Sequence, residues 1–225
     1  MKKIIKLMSF AIVVAFCASL VSSAKELKAE KDTRHGAIVR LHMNDEPTAS
    51  SFCSGTVITD TLIVTAAHCI QVGPFGGAMI LDIRDNDKVP LGVLAMPVFV
   101  NPRADIAVLY GDFRTFQKIK ISKGVKHTMN QLLDNRHSLR SCGYPWSAEL
   151  TCVELTGRVF TFEPGVGGAG ISAQGWMLPG MSGGPVLDEV TGELVAVNTA
   201  VSVNHVYVSP VAGLAGMFGL DEEQL

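Results

Sequence analysis

The sequence contains no CxxC pair and no HExxH, and its six histidines are scattered, so no spacing suited to a bound metal is present. After residue 20 there is no second long apolar run. That argues for a soluble globular protein rather than one threaded through a bilayer. Internal repeats and low-complexity tails are also missing, which leaves out solenoids and disordered arrays. Positive charge is not in surplus: 19 Lys and Arg face 21 Asp and Glu. A mildly acidic chain is a poor partner for nucleic acid and lacks a polybasic grip on membranes. Long helical patterns are scarce as well.

The N-terminus reads as a secretory signal. Lys2, Lys3 and Lys6 precede the apolar run Leu7–Leu20, and Ser22 and Ala24 supply small residues at −3 and −1 of a cut after Ala24. The run of 14 residues is shorter than a membrane-spanning helix needs. Cys17 raises the alternative of lipid attachment, but bulky Phe16 stands where such sites want a small residue. Removing residues 1–24 leaves 201 residues and takes the formal charge from −2 to −5. It also leaves four of the five cysteines, Cys53, Cys69, Cys142 and Cys152. Export favours their oxidation. Four cysteines permit three pairings, of which Cys53–Cys69 with Cys142–Cys152 is the simplest. An exported chain would reside in the periplasm or be secreted, with no membrane association after signal cleavage.

The remaining residues fall into short, β-branched segments broken by turns. Strands are predicted over Ala37–Leu41, Gly55–Ile58, Leu62–Val64, Ala78–Ile83, Leu91–Val100 and Ile106–Tyr110. Further strands are predicted over Gly157–Phe162, Gly184–Leu187, Leu194–Asn198 and His205–Val208. The pattern suggests an all-β sandwich or barrel. The charged stretch Lys118–Arg140 reads as a connection between two halves, with a helical turn near Met129–Leu133. Gly165–Gly170 reads as a mobile loop, and Pro210–Leu220 as a closing short helix.

Three phrases carry chemistry, in this order: Thr65-Ala66-Ala67-His68-Cys69, Asp105-Ile106-Ala107-Val108-Leu109 and Gly180-Met181-Ser182-Gly183-Gly184-Pro185. A serine hydroxyl is a weak nucleophile until an imidazole takes its proton, and the imidazole needs an acid to fix its tautomer. His68, Asp105 and Ser182 supply those three groups. Asp112, in a predicted turn after Gly111, is the nearest rival acid. Gly180-Met181-Ser182-Gly183-Gly184 also satisfies GxSxG of the α/β-hydrolases. Their order is Ser, acid, His, and here only His205 follows Ser182, 23 residues later.

The blocks Cys53-Ser54-Gly55 and Ala66-Ala67-His68-Cys69, with the acid and serine phrases, resemble the chymotrypsin-like (trypsin-like) serine proteases. The resemblance runs over roughly residues 36–218, firm at the three phrases and loose between them. It implies two six-stranded antiparallel β-barrels with the active site in the cleft between them. The expected organisation is a signal peptide at 1–24, an N-terminal barrel at 25–120 and a C-terminal barrel at 121–225. The implied activity is endopeptidase cleavage of polypeptide through an acyl-enzyme, with no cofactor. His68 would be general base, Asp105 its orienter and Ser182 the nucleophile. The N–H groups of Gly180 and Ser182 would form the oxyanion hole. The Cys53–Cys69 bridge would pin the turn bearing His68.

Departures from the family narrow the reading. Digestive members carry an aspartate before the nucleophile that pairs with a freshly cut N-terminus. Met181 stands there and can make no ion pair, although His35-Gly36-Ala37-Ile38-Val39 superficially resembles a trypsin start. Gly192–Ala200 is similar to the strand after the nucleophile in bacterial HtrA-like proteases, and no PDZ-sized extension follows, so only the protease domain is expected. Trp176 occupies the position of the primary pocket floor and is not an acid, which removes the basis for cleavage after Arg or Lys. Thr199, Ala200 and Val201 would form the pocket wall, with Val201 narrowing the entrance. His205 would line the pocket or face solvent. Together these favour small or aliphatic side chains. Cys142-Gly143-Tyr144-Pro145-Trp146 reads as a stapled turn whose aromatics either pack or border the cleft. Two rivals remain: a catalytically silent binding protein on the same fold, and an esterase of another fold. A catalytically silent relative usually lacks one triad member, and an esterase would need a central parallel sheet.

Overall fold

Short segments rich in Val, Ile and Leu become strands in this computed structural model, which describes residues 36–42, 52–70, 78–81, 93–147, 149–163, 168–202 and 205–220. The expected signal peptide lies outside the described residues, as do 82–83 and 91–92 of two expected strands and 165–167 of the expected loop. The first six strands are β1 (Ile38–His42), β2 (Phe52–Val57), β3 (Leu62–Thr65), β4 (Ala78–Leu81), β5 (Val93–Asn101) and β6 (Ile106–Tyr110). They run in the order β1-β2-β3-β6-β5-β4 and close as an antiparallel barrel where β4 pairs with β1, Arg40 opposite Leu81. The next six are β7 (Leu139–Gly143), β8 (Thr151–Glu163), β9 (Gly168–Gln174), β10 (Pro185–Asp188), β11 (Leu194–Ser202) and β12 (His205–Pro210). They form an antiparallel sheet ordered β7-β8-β9-β12-β11-β10, and β10 also pairs with β7 from Val186 opposite Ser141 to Asp188 opposite Leu139. Helix α1 (Val125–Leu133) lies between the two sets, and α2 (Leu214–Met217) follows the last strand.

Side chains alternate between the faces of a strand, and that alternation divides the core. In β1, Val39 and Leu41 enter a cluster with Ile63, Leu109 and Phe113 inside the barrel. Ile38, one residue away, joins a second cluster with Val64, Val108, Tyr144, Leu187 and Val197. That second cluster takes residues from both sets of strands. A third lies in the second sheet around Ile171, Met181, Val195 and Val206. Burying each such side chain contributes about 1.5–3 kcal/mol. The connecting segment is bonded on both sides, Ile119 N–H to the Val57 carbonyl and Leu194 N–H to the Lys120 carbonyl. The Arg40 guanidinium lies 5.4 Å from the Phe52 ring and 5.3 Å from the Tyr144 ring, a cation–π contact joining the first barrel to the loop after β7.

Two expectations are corrected. Lys118–Arg140 is not only a connection: it holds the whole of α1 and the start of β7. Gly168–Gly170, read as part of a loop, opens strand β9 and pairs with Thr161–Glu163 of β8. Cys142 and Cys152 face each other across the β7–β8 ladder and so staple the turn between these strands, as expected. Both disulfides take the simplest pairing, Cys53–Cys69 and Cys142–Cys152.

Helix α1 is anchored by a buried polar chain. Gln131 Nε2 donates to Asp188 Oδ2 at 2.9 Å and to Glu193 Oε2 at 2.9 Å, and its Oε1 accepts the Ser122 hydroxyl at 2.5 Å. His137 Nδ1 lies 2.7 Å from the same Asp188 oxygen. Burial alone would raise the Asp188 pKa. Hydrogen bonds from the Val190 N–H, His137 and Gln131 outweigh it and hold the carboxyl below its ordinary value. A carboxyl depressed in the folded state contributes stability above its unfolded pKa of about 4, and this is lost as pH falls through the lower folded value. Asp188→Asn is therefore expected to destabilise the protein at pH 7 by about 1–3 kcal/mol. The gap to wild type should shrink once the pH drops below about 4. Urea unfolding at pH 7 and pH 3 measures this, and a gap that did not change with pH would contradict it.

Candidate active site

After β3 the chain turns through Ala67–Cys69, a single 3₁₀ turn closed by Cys69 N–H to the Ala66 carbonyl and Ile70 N–H to the Ala67 carbonyl. The Cys53–Cys69 disulfide ties this turn to β2. Ala67 and Cys69 point inward, which leaves His68 outward, its side chain 46% exposed. Sulfur atoms of both cysteines lie within 4.8 Å of a His68 ring nitrogen. They are bonded to each other and offer no thiolate, so this grouping is not a metal centre.

Asp105 ends the turn that joins β5 to β6. Asn101 caps that turn, its Oδ1 accepting the N–H groups of Arg103 and Ala104 at 3.1 Å each. Asp105 itself has φ 49°, a left-handed backbone that Asp tolerates better than most residues. Its carboxylate accepts twice from His68, the backbone N–H on Oδ1 at 2.8 Å and ring Nδ1 on Oδ2 at 2.7 Å. The side chain is 12% exposed, so the pair lies largely out of water on the acid's side. Rival Asp112 instead pairs with Arg114, on the surface, at 2.5 Å.

Ser182 sits on a tight segment clamped from both sets of strands. Its carbonyl accepts the Ser54 N–H of β2 at 2.7 Å. Gly183 donates to the Asn198 carbonyl at 2.7 Å, and Asn198 N–H returns to Gly184 at 2.9 Å. The Asn198 side-chain amide donates to Cys142 O at 2.9 Å and Met181 O at 3.2 Å, while its Oδ1 accepts from Ser141 at 2.7 Å. Gly183 has φ 76°, and a Cβ there would strike Thr65 Oγ1 and approach Ala66 N to 2.8 Å. The serine segment is therefore pressed against the strand end that leads to His68, with Cys69 Sγ 3.7 Å from the Ser182 carbonyl oxygen. Among the described residues no hydrogen bond joins the Ser182 hydroxyl to the His68 ring. The N–H groups of Gly180 and Ser182 likewise donate to no described residue, whereas Met181, Gly183 and Gly184 N–H are all engaged.

The expected pocket residues gather at one end of the second sheet. Val201 pairs with Val206 and Ser202 with His205, while His205 and Val206 pair onward with Gln174 and Ala173 of β9. Trp176 follows two residues later and is 48% exposed. Thr199 is buried, its hydroxyl donated to the Tyr207 carbonyl at 3.0 Å, while Ala200 is half-buried and Val201 and His205 are exposed. Tyr144 and Trp146 part company: Tyr144 is buried, and Trp146 is 50% exposed beside Gly180. Ser54 and Asn198 lie inside quoted motifs, but sequence reasoning gave neither a role. The available signal was a polar side chain within an otherwise apolar strand, which must find a buried partner.

Residues 53–197 match the trypsin-like peptidase domain. The chain belongs to that family. No curated protein matches it in sequence. Among solved structures, the Rv3671c protease of M. tuberculosis in its active form superposes with a TM-score of 0.60 at 16% identity, covering 83% of this chain and 81% of that one. The MamO protease domain of Magnetospirillum magneticum gives 0.61 at 15%, covering 85% and 100%. The HtrA-type protease AlgW, solved with a decapeptide, gives 0.60 at 17%, covering 87% and 68%. The family match bears out the expected resemblance, and these HtrA-type and related bacterial proteases share the fold.

Proposed function

We propose that this trypsin-like peptidase is an exported serine endopeptidase, secreted or periplasmic, whose triad is His68, Asp105 and Ser182. The reading rests on one observation above others: the Asp105 carboxylate grips both the backbone N–H and ring Nδ1 of His68. That grip holds the Nδ1–H tautomer and leaves Nε2 as the base. In the reaction Nε2 takes the Ser182 proton while Oγ attacks the peptide carbonyl. The N–H groups of Gly180 and Ser182 receive the oxyanion. His68 then passes its proton to the leaving amine, and water completes hydrolysis of the acyl-enzyme. The hydroxyl–imidazole hydrogen bond is commonly loose without substrate and tightens in the bound complex. The two sets of strands act as the two barrels, with the cleft between them. Trp176, Thr199, Ala200, Val201 and His205 form a pocket without an acid, suited to small or aliphatic side chains.

Reaction with a fluorophosphonate followed by peptide mass mapping tests the assignment. The expected result is a single adduct on Ser182, lost when His68 is replaced by Ala. A protein that stayed unlabelled would instead be a silent binder on a protease fold.

A further inference from the structure

One buried side chain connects the first barrel to the segment that carries the oxyanion donors. Ser54 of β2 is fully buried. Its hydroxyl accepts the Tyr144 N–H at 2.9 Å and donates to the Gly180 carbonyl at 2.7 Å. A hydroxyl has one proton to give and lone pairs to accept with, so both bonds form at once. The preceding carbonyl, of Pro179, accepts the Trp146 N–H at 2.9 Å. Two successive carbonyls, 179 and 180, are thus held by the loop after β7 and by Ser54.

The geometry has a directional result. A trans peptide is planar, with its C=O and N–H pointing opposite ways. Holding the Pro179 carbonyl toward Trp146 turns the Gly180 N–H to the other side, where it donates to no described residue. Trp146 makes its bond with φ 41°, and Gly180 sits at φ 98° with Tyr144 O where a Cβ would stand. A bulky residue in the left-handed region persists only where its surroundings over-determine it.

We propose that Ser54 is a positioning residue: its hydroxyl latches the Gly180 segment to the first barrel and so keeps the Gly180 N–H aimed for the oxyanion. The inference rests on the hydrolase reading and deepens it. Without the hydroxyl, the Tyr144 N–H and the Gly180 carbonyl both lose a buried partner. Glycine's permissive backbone then lets the segment rotate to recover one. Rotation withdraws the donor. Negative charge on that oxygen develops only on the way to the tetrahedral intermediate, so the loss falls on kcat and not on KM.

The test compares wild type with Ser54→Ala on a fluorogenic peptide and on a peptide aldehyde of the same sequence, to which the Ser182 hydroxyl adds to form a hemiacetal. Deleting an oxyanion donor costs about 10²–10³ in rate, and misplacing one should cost about 10- to 100-fold. The expected result is that loss in kcat, a parallel loss of aldehyde affinity, and a KM within about threefold of wild type. A merely structural serine would lower thermal stability and leave both the kcat of the folded protein and the aldehyde affinity alone. A folded Ser54→Ala protein with wild-type kcat overturns the latch. Should Ser54→Ala not fold, Ser54→Thr and Ser54→Val carry the comparison, since they match in shape and differ in the hydroxyl. Thr is then expected to exceed Val in kcat by about tenfold or more, and equal values overturn the proposal. A wild-type protein inert to both peptide and fluorophosphonate would bring down the hydrolase reading itself, and the latch with it. An active wild type with an unchanged Ser54→Ala variant would bring down the latch alone.

Discussion

Ser182→Ala should reduce kcat for peptide hydrolysis by about 10⁶-fold while the protein stays folded. The size follows from what the hydroxyl does. Without it there is no acyl-enzyme, and His68 has no hydroxyl proton to take. What survives is rate enhancement from the oxyanion donors and binding, about 10³–10⁴ over water. The fold should be spared for a specific reason. Ser182 holds its neighbours through the backbone, its carbonyl on the Ser54 N–H at 2.7 Å. The side-chain oxygen bonds to no described residue, so its removal should change stability by no more than about 0.5 kcal/mol. Progress curves with a fluorogenic peptide and a thermal melt check both halves. Hydrolysis within tenfold of wild type by a folded variant would remove Ser182 from the mechanism.

The three phrases proposed to carry the triad stand out in the sequence because each is local. A turn after a β-branched strand presents His68, a turn before another presents Asp105, and a glycine-flanked serine needs only its own neighbours to be noticed. The disulfides were legible in the same way, since each closes a short loop, 16 and 10 residues. Strands β7 and β9 were not. Leu139-Arg140-Ser141-Cys142-Gly143 and Gly168-Ala169-Gly170-Ile171-Ser172-Ala173-Gln174 are rich in small and polar residues, with weak intrinsic preference for strand. What makes them strands is pairing: β7 lies between β8 and β10, and β9 between β8 and β12. Ser54 is hidden for a related reason. Its two hydrogen-bond partners are 126 and 90 positions away, and nothing near it in sequence names them.

Asp105→Asn is the sharper probe of the proposed triad, because it replaces one accepting carboxylate oxygen by a donating NH2 with almost no change of volume. The Asp105 carboxylate has two separate duties toward His68. Oδ1 accepts the backbone N–H at 2.8 Å, and Oδ2 faces ring Nδ1 at 2.7 Å. An asparagine has one oxygen and one nitrogen to divide between them. Only the oxygen can serve the backbone N–H, so the amide nitrogen must turn to Nδ1. That nitrogen donates and cannot accept, and it therefore selects the imidazole with Nδ1 bare and Nε2 protonated. A protonated Nε2 cannot take the Ser182 proton. The expected result is a loss of about 10⁴-fold in kcat near neutral pH with a folded protein and a KM close to wild type. Labelling of Ser182 by fluorophosphonate should slow in step with kcat, because both need the same deprotonation. A variant that retained more than about a tenth of the wild-type kcat would show that the His68–Asp105 pair serves the turn's structure and not the chemistry.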